Sequence, residues 1–423
     1  MTSRFSSILS DRYLLSRNVV CGGIVVALLF VYLVAGLYTE LWLNSIKHIP
    51  ATLLEDFGHY ERALSTTLRG EDPYEIRKIG PAYLYPPPAL LAVEVFSYIQ
   101  PFSLKVAVYT VTNILLLVVM IWGIARYYGY SLSQTWYWFV LGLGFAPFFE
   151  LLHIGQINQI TQFGIFLLFW GEALFPIWAS TGLTLAILTK VSPLLFIGYL
   201  IVLKRYSVLF MTGVLILVFG FLAALRYGIT PFVTYVDVFQ DLLRTIPLGT
   251  NAQSLMAKLA ISNEIWFRNA LLYMPGGVAS WLLELFSILT QNYRSISLFL
   301  TIYILSILVV SGILTWLGSL NREPFFIITV FGMIFSSNVM WYHHYVFLLL
   351  PVFVWIGWQK LKFATVFWCF LGLLIIQIDR SIPPYGLLSH VWAHLSILLL
   401  FWQVVHLHRQ KQAPRAVAYA SLG

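Results

Sequence analysis

Glu55-Asp56-Phe57-Gly58-His59-Tyr60-Glu61-Arg62-Ala63, continued by Gly70-Glu71-Asp72-Pro73-Tyr74 and Tyr83-Leu84-Tyr85-Pro86-Pro87-Pro88, is the one dense polar island in an oily chain. Of the 17 acidic residues, six lie here: Glu55, Asp56, Glu61, Glu71, Asp72 and Glu75. Arg62, Arg69, Arg77, Lys78 and His59 stand among them. The surrounding chain of 423 residues is 60% hydrophobic and only 10% charged, where a soluble domain carries roughly a quarter charged residues. Apolar runs near the roughly 20 residues that cross a bilayer as helix recur along it. Backbone in lipid must bond within its own segment. The chain therefore reads as an all-α polytopic membrane protein, and the island as its long first outer loop. A solvated connector between two helices is the plain alternative. The mixture of aromatics and prolines with the charges favours a site.

Working outward, Arg4, Arg12 and Arg17 precede an apolar run over residues 19–38. That run is longer than a signal-peptide core and lacks a small-residue cleavage site, so it reads as an uncleaved first span with its basic end in the cytoplasm. The first outer loop then covers residues 40–103. Its last part, 85–102, carries four prolines, Glu94 and Gln100 and reads as an interfacial helix. Spans follow over 105–122, 136–152 and 163–170. Residues 178–203 hold Lys190-Val191-Ser192-Pro193 at their middle, where Pro193 removes a backbone bond and Lys190 is expensive in lipid. Two short segments hinged at Lys190 are expected, then a cytoplasmic turn at Lys204-Arg205. A span over 207–225 leads to a second outer section, 226–295, with an amphipathic helix near 269–289. Spans over 296–317, 325–335, 345–358, 363–378 and 390–405 end in a basic tail. The count is about twelve spans in one integral membrane domain, residues 1–423, with both termini cytoplasmic. No repeat relates two halves. The net charge of +8 sits in short flanks, which is topology information and no nucleic-acid stripe. Cys21 and Cys369 form no disulfide framework and no metal spacing.

On this topology the island, the junction His153-Ile154-Gly155-Gln156-Ile157-Asn158-Gln159 and the junction Trp341-Tyr342-His343-His344 fall on one face. Helix-to-helix hydrogen bonding would explain the amides equally well, and a buried pair would explain the histidines. Transfer of a sugar from a lipid phosphate to a hydroxyl needs a base on the hydroxyl and donors on the leaving phosphate. Asp56, flanked by Phe57 and Tyr60, is the base candidate. Walker loops, glycine-rich dinucleotide fingerprints, Gly-x-Ser-x-Gly elbows and Asp-x-Asp pairs are all missing from the sequence.

At these residues the chain resembles the membrane-embedded glycosyltransferases of the GT-C class, and within it glycosyltransferase family 87, the polyprenyl-phosphate-mannose type. The resemblance rests on Asp56-Phe57, Tyr60, Gly70-Glu71-Asp72-Pro73-Tyr74, Tyr85-Pro86-Pro87, Gly155-Gln156-Ile157-Asn158, Lys190-Val191-Ser192-Pro193, Asn251-Ala252-Gln253-Ser254-Leu255 and Trp341-Tyr342-His343-His344. It implies a GT-C-like fold and inverting transfer of a sugar, mannose in the usual case, from a polyprenyl-phosphate donor. The acceptor would be a glycolipid or glycan at the outer face of the plasma membrane, among membrane lipids. Neither a cofactor nor a metal is implied. Asp56 would be the base, with Glu55 beside it as the rival carboxylate. His344, Lys190 and His343 would hold the phosphate; Gln156, Asn158 and Asn251 would shape the sugar or acceptor pocket. Tyr60, Arg69 and Tyr85 would complete the substrate contacts.

Two other classes compete. A transporter or flippase of lipid-linked sugars would line a path with charges inside its spans, ideally in matching halves. A structural membrane subunit would tolerate Asp56→Ala.

Overall fold

The computed structural model describes residues 27–36, 53–74, 83–244, 293–318, 321–336, 340–379 and 388–403. Asn251, the helix expected over 269–289, most of the section 226–295 and Ser337 to Val339 lie outside them. The described residues are helical, with no strand among them.

A short apolar helix, α1, covers Ala27–Gly36. The island folds as α2, Glu55–Leu68, and α3 follows at Ala89–Ser97 after the prolines. Nine residues rise only about 14 Å as helix, so α3 is too short to cross a bilayer. Among the described residues two helices are long and apolar enough to do so: α4, Phe102–Tyr127, and α10, Tyr206–Tyr227. On α4 a single stripe is buried, through Lys105, Tyr109, Asn113, Leu117, Ile121 and Ile124. Val111, Leu115 and Trp122 on its other faces stay exposed, as side chains that meet lipid do.

The span expected over 136–152 is two helices, α5 at Leu132–Leu143 and α6 at Ala146–Ile154, bent by 53°. Pro147 in the first turn of α6 explains the break, because its nitrogen cannot donate back into α5. The pair counts as a third crossing if it is one broken span. Next come α7, Asn158–Leu174, and α8, Pro176–Thr189, which pack tightly along each other. Glycines make this approach possible: a Cβ on Gly164 would lie 2.6 Å from the Gly182 carbonyl oxygen. Small residues bring membrane helices together in this way.

The expected hinge is present. α8 stops at Thr189, Lys190 is extended, and a 3₁₀ turn at Ser192–Leu194 leads into α9, Leu195–Val202. After α10, an amphipathic helix α11 covers Thr230–Arg244. The remaining elements are α12, Tyr293–Trp316; α13, Arg322–Phe335; a 3₁₀ segment, Tyr342–Leu348, running into α14, Leu349–Trp358; α15, Phe363–Asp379; and a helix α16 over 388–403.

Two apolar cores result. The larger joins α1, α4–α10 and α12–α16. The smaller is aromatic, built on Phe57, Tyr60, Tyr74, Tyr83 and Leu90, and meets the bundle at Tyr109, Ile157 and Tyr227. The island is thus a folded cap over one end of the bundle.

Candidate functional site

Asp56 lies in the first turn of α2, half-buried, where the helix dipole favours a carboxylate. Leu54, in the left-handed conformation at φ 59°, turns the chain into α2, and its N–H donates to the His153 carbonyl at 2.8 Å. That bond seats the start of α2 on the junction between α6 and α7. Gly155, at φ +78°, makes the sharp turn of that junction. A Cβ there would come within 2.8 Å of Phe57 Cβ and 3.2 Å of Leu54 Cα, so only glycine lets α2 settle.

The next residue, Gln156, is buried and faces the cap. Its Nε2 donates to Asp56 Oδ2. Its Oε1 accepts from Tyr60 at 2.8 Å and from Tyr85 at 2.6 Å. Its main-chain carbonyl accepts from the Tyr109 hydroxyl. Burial raises the Tyr60 and Tyr85 phenols above their ordinary value, so both keep their protons. Tyr74 in turn donates to the Tyr85 carbonyl at 2.7 Å.

Two residues further on, Asn158 opens α7 and faces the bundle. Its Oδ1 accepts from Lys190 Nζ at 3.2 Å. Lys190 Nζ also lies 2.8 Å from His344 Nε2, and the Trp341 N–H donates to His344 Nδ1 at 3.2 Å. The His343 ring stands perpendicular to that of His344, with centroids 4.7 Å apart. Gln162, one turn along α7, donates to the Val346 carbonyl at 2.7 Å and ties α7 to the 3₁₀ segment. The junction Gly155–Asn158 therefore reaches the carboxylate at one end and the basic cluster at the other.

The expected site residues separate into three groups. Asp56, Tyr60, Tyr85 and Gln156 form one network; Asn158, Lys190 and His344, with the His343 ring edge-on beside them, form the second. Glu55 is exposed on the outer side of the same turn as Asp56. Arg69 is not brought in: it lies past the far end of α2, about 20 Å along the axis from Asp56, and pairs with Glu71 at 3.0 Å.

Sequence reading passed over Lys105, which is buried on α4 and bonds Glu61 on α2. The stripe Lys105, Tyr109, Asn113 at intervals of four was the available signal. It also passed over the latch of α3 to α10. Glu94 accepts from Arg226 at 2.7 Å and from Tyr227 at 2.7 Å, and the Arg226 guanidinium holds its carboxyl down to about 2.

An apolar groove of about 430 Å³ adjoins the base of the cap, lined by Leu33, Leu53, Thr110, Gly144, Phe149, Leu152 and His153. Among the described residues no group of three metal-ligating side chains is assembled.

The candidate residues thus stand at helix junctions of an apolar helical bundle, and a comparison with known families gives the class. Residues 83–312 match glycosyltransferase family 87. The chain belongs to that family, and the protein is a membrane glycosyltransferase; the transporter reading gains no support. No curated protein matches the chain.

Proposed function

We propose that the protein transfers a sugar, mannose in the usual form of its family, from a polyprenyl-phosphate donor to a hydroxyl of a glycolipid or glycan. Asp56 takes the proton of the acceptor hydroxyl while its oxygen attacks the anomeric carbon. The bond from that carbon to the phosphate oxygen breaks with inversion, and polyprenyl phosphate leaves. Asp56 is favoured over Glu55 because it is half-buried and held by Gln156, whereas Glu55 is exposed. Lys190 and His344, with His343 and Asn158 beside them, hold the phosphate. Two bases 2.8 Å apart repel if both are protonated, and an oxyanion bonded to both would relieve this. Asn251 is assigned to the sugar or acceptor pocket on the family motif alone.

The observation that carries this reading is the Gly155–Asn158 junction, whose two amide side chains bond Asp56 and Lys190 respectively. The groove at Leu53 and His153 supports lipid access beside the base. A face is suggested by charge. Arg205 and Arg322 share Glu172 at the bundle end away from the cap, with Lys204 next to Arg205 in sequence and Arg126 next to Tyr127, whose hydroxyl accepts from Arg322. Basic ends stay in the cytoplasm, which supports a reading with the cap on the outer face of the plasma membrane, within a polytopic domain of about twelve spans.

The test is transfer in membranes from a radiolabelled polyprenyl-phosphate-mannose donor into total lipid extract. Wild type and Asp56→Asn are compared at equal protein level, together with other lipid-linked sugars. Transfer by wild type and none by the variant is expected. Full activity in Asp56→Asn would overturn the assignment of the base.

A further inference from the structure

We infer that Gln156, backed by Tyr60 and Tyr85, is a positioning relay that aims the Asp56 carboxylate and contributes through Asp56 alone, not by touching substrate. The inference rests on Asp56 being the base.

A primary amide presents two unlike ends, a carbonyl acceptor and an N–H₂ donor. Which end meets Asp56 is decided from behind. Two phenol hydroxyls, from α2 and from the proline segment, converge on one oxygen of Gln156 at 2.8 and 2.6 Å and lie 3.2 Å from each other. Only the carbonyl oxygen can accept both. The phenols are buried and keep their protons, so they remain donors. With Oε1 occupied in this way, the N–H₂ end is turned to Asp56 Oδ2. A flipped amide would set carbonyl oxygen against carboxylate, two acceptors with no proton between them, and would leave both phenols facing N–H groups.

The main chain of Gln156 is fixed as firmly. Its N–H donates to the Leu151 carbonyl at 3.1 Å, its carbonyl accepts from Tyr109, and Gly155 sets its direction. The Tyr109 ring packs on Phe57, the neighbour of Asp56, with centroids 5.6 Å apart. Backbone and side chain of one residue thus hold α2 and its carboxylate in a single pose. A general base must sit within hydrogen-bond reach of the proton it takes, and displacements near 1 Å cost on the order of a hundredfold in rate. The polar faces of Tyr60 and Tyr85 are committed to this task, which narrows the substrate role expected for them to their rings.

The test is a thermodynamic cycle in the mannosyl-transfer assay with detergent-purified full-length protein. Gln156→Met keeps the side-chain length and removes both amide ends. It should lower kcat roughly thirtyfold and leave donor and acceptor KM within about threefold. Tyr60→Phe with Tyr85→Phe should lower kcat about tenfold in the parent. The same pair should cost nothing further in the Gln156→Met background, because the tyrosines act through the amide. Multiplicative losses, or losses carried by KM, would overturn the relay and return the tyrosines to direct substrate contact. Gln156→Leu closes the same cycle if Gln156→Met does not elute as a single species. Asp56→Asn in parallel separates the two ideas. Its inactivity upholds the base whichever way the cycle falls, and its activity removes base and relay together.

Discussion

Gly155→Ala isolates the contact on which Asp56 depends. The position has φ +78°, which costs an alanine roughly 1–2 kcal/mol. The new methyl would stand 2.8 Å from Phe57 Cβ and 3.1 Å from Leu54 Cδ2, and overpacking of this kind costs about 1–3 kcal/mol. Together they destabilise by roughly 3 kcal/mol. Relief requires the start of α2 to back off by about half an ångström, which is the tolerance of a catalytic group. Transfer should therefore fall at least about tenfold. Gly129→Ala, at the end of α4, is the matched comparison. Its φ is +76°, but no described atom lies within 4 Å of the added carbon. It should show the strain, a cost of about 1 kcal/mol, and keep its transfer rate within about twofold. Unfolding temperatures in detergent report the first quantity and initial transfer rates in proteoliposomes the second. If Gly155→Ala loses stability but transfers sugar at the parent rate, the seating of α2 on the junction does not place the base.

Lys190→Met should lower kcat/KM for the lipid-linked donor at least about tenfold, with the acceptor KM little changed in a two-substrate titration. Arg322→Ala leaves Glu172, whose side chain is 1% exposed, paired with Arg205 and without its shorter-range partner. Breaking a buried pair costs about 3 kcal/mol or more, so the unfolding temperature should fall by several degrees; Arg322→Lys should recover only part of this, since it loses the bond to the Tyr127 hydroxyl at 2.7 Å. Glu94 has a folded value near 2 against an ordinary 4.5. Its stabilising effect is therefore present above pH about 4.5 and is lost as pH falls toward about 2. The stability gap between wild type and Glu94→Gln should be constant near neutrality and narrow through that window, as read by unfolding in detergent at successive pH values.

The helical membrane class was legible because burial in lipid leaves no alternative for long apolar runs. The break at Lys190 was legible because proline and a lysine together cannot continue a lipid-facing helix. The bend between α5 and α6 was not, although Gly144 and Pro147 mark it, since a hydropathy window averages across a kink. Arg69 shows the opposite error: it is near Asp56 in sequence, and an unbroken 14-residue helix carries it away. Tyr60 and Tyr85 were visible as aromatics near a carboxylate. That both hydroxyls end on one amide from a helix junction, 96 residues beyond Tyr60 and 71 beyond Tyr85, is a fact of packing, and no local pattern encodes it. The partnership of Lys105 with Glu61 was hidden for the same reason, because the two lie on different helices of the bundle and the cap.

The candidate site residues share one structural circumstance: most of them stand at or next to a helix break. Gln156 and Asn158 flank the α6–α7 turn, Lys190 is the extended residue after α8, and His344 lies in the 3₁₀ entry to α14. Asp56 follows the left-handed Leu54 at the start of α2. A helix in lipid consumes its own backbone groups, so backbone donors and acceptors become free inside a bundle only where helices stop. Each stop releases groups that need new partners. In this chain the partners come from the site and its immediate neighbours: the His153 carbonyl is met by the Leu54 N–H, the Gln156 carbonyl by Tyr109, the Val346 carbonyl by Gln162 and the Trp341 N–H by His344. The bonds that heal the breaks also bind the site residues to one another. A substitution at one of these site-bearing breaks should therefore be felt in transfer rate as well as in stability, whereas substitutions at Gly164 and Gly182, mid-helix, should be felt in stability first.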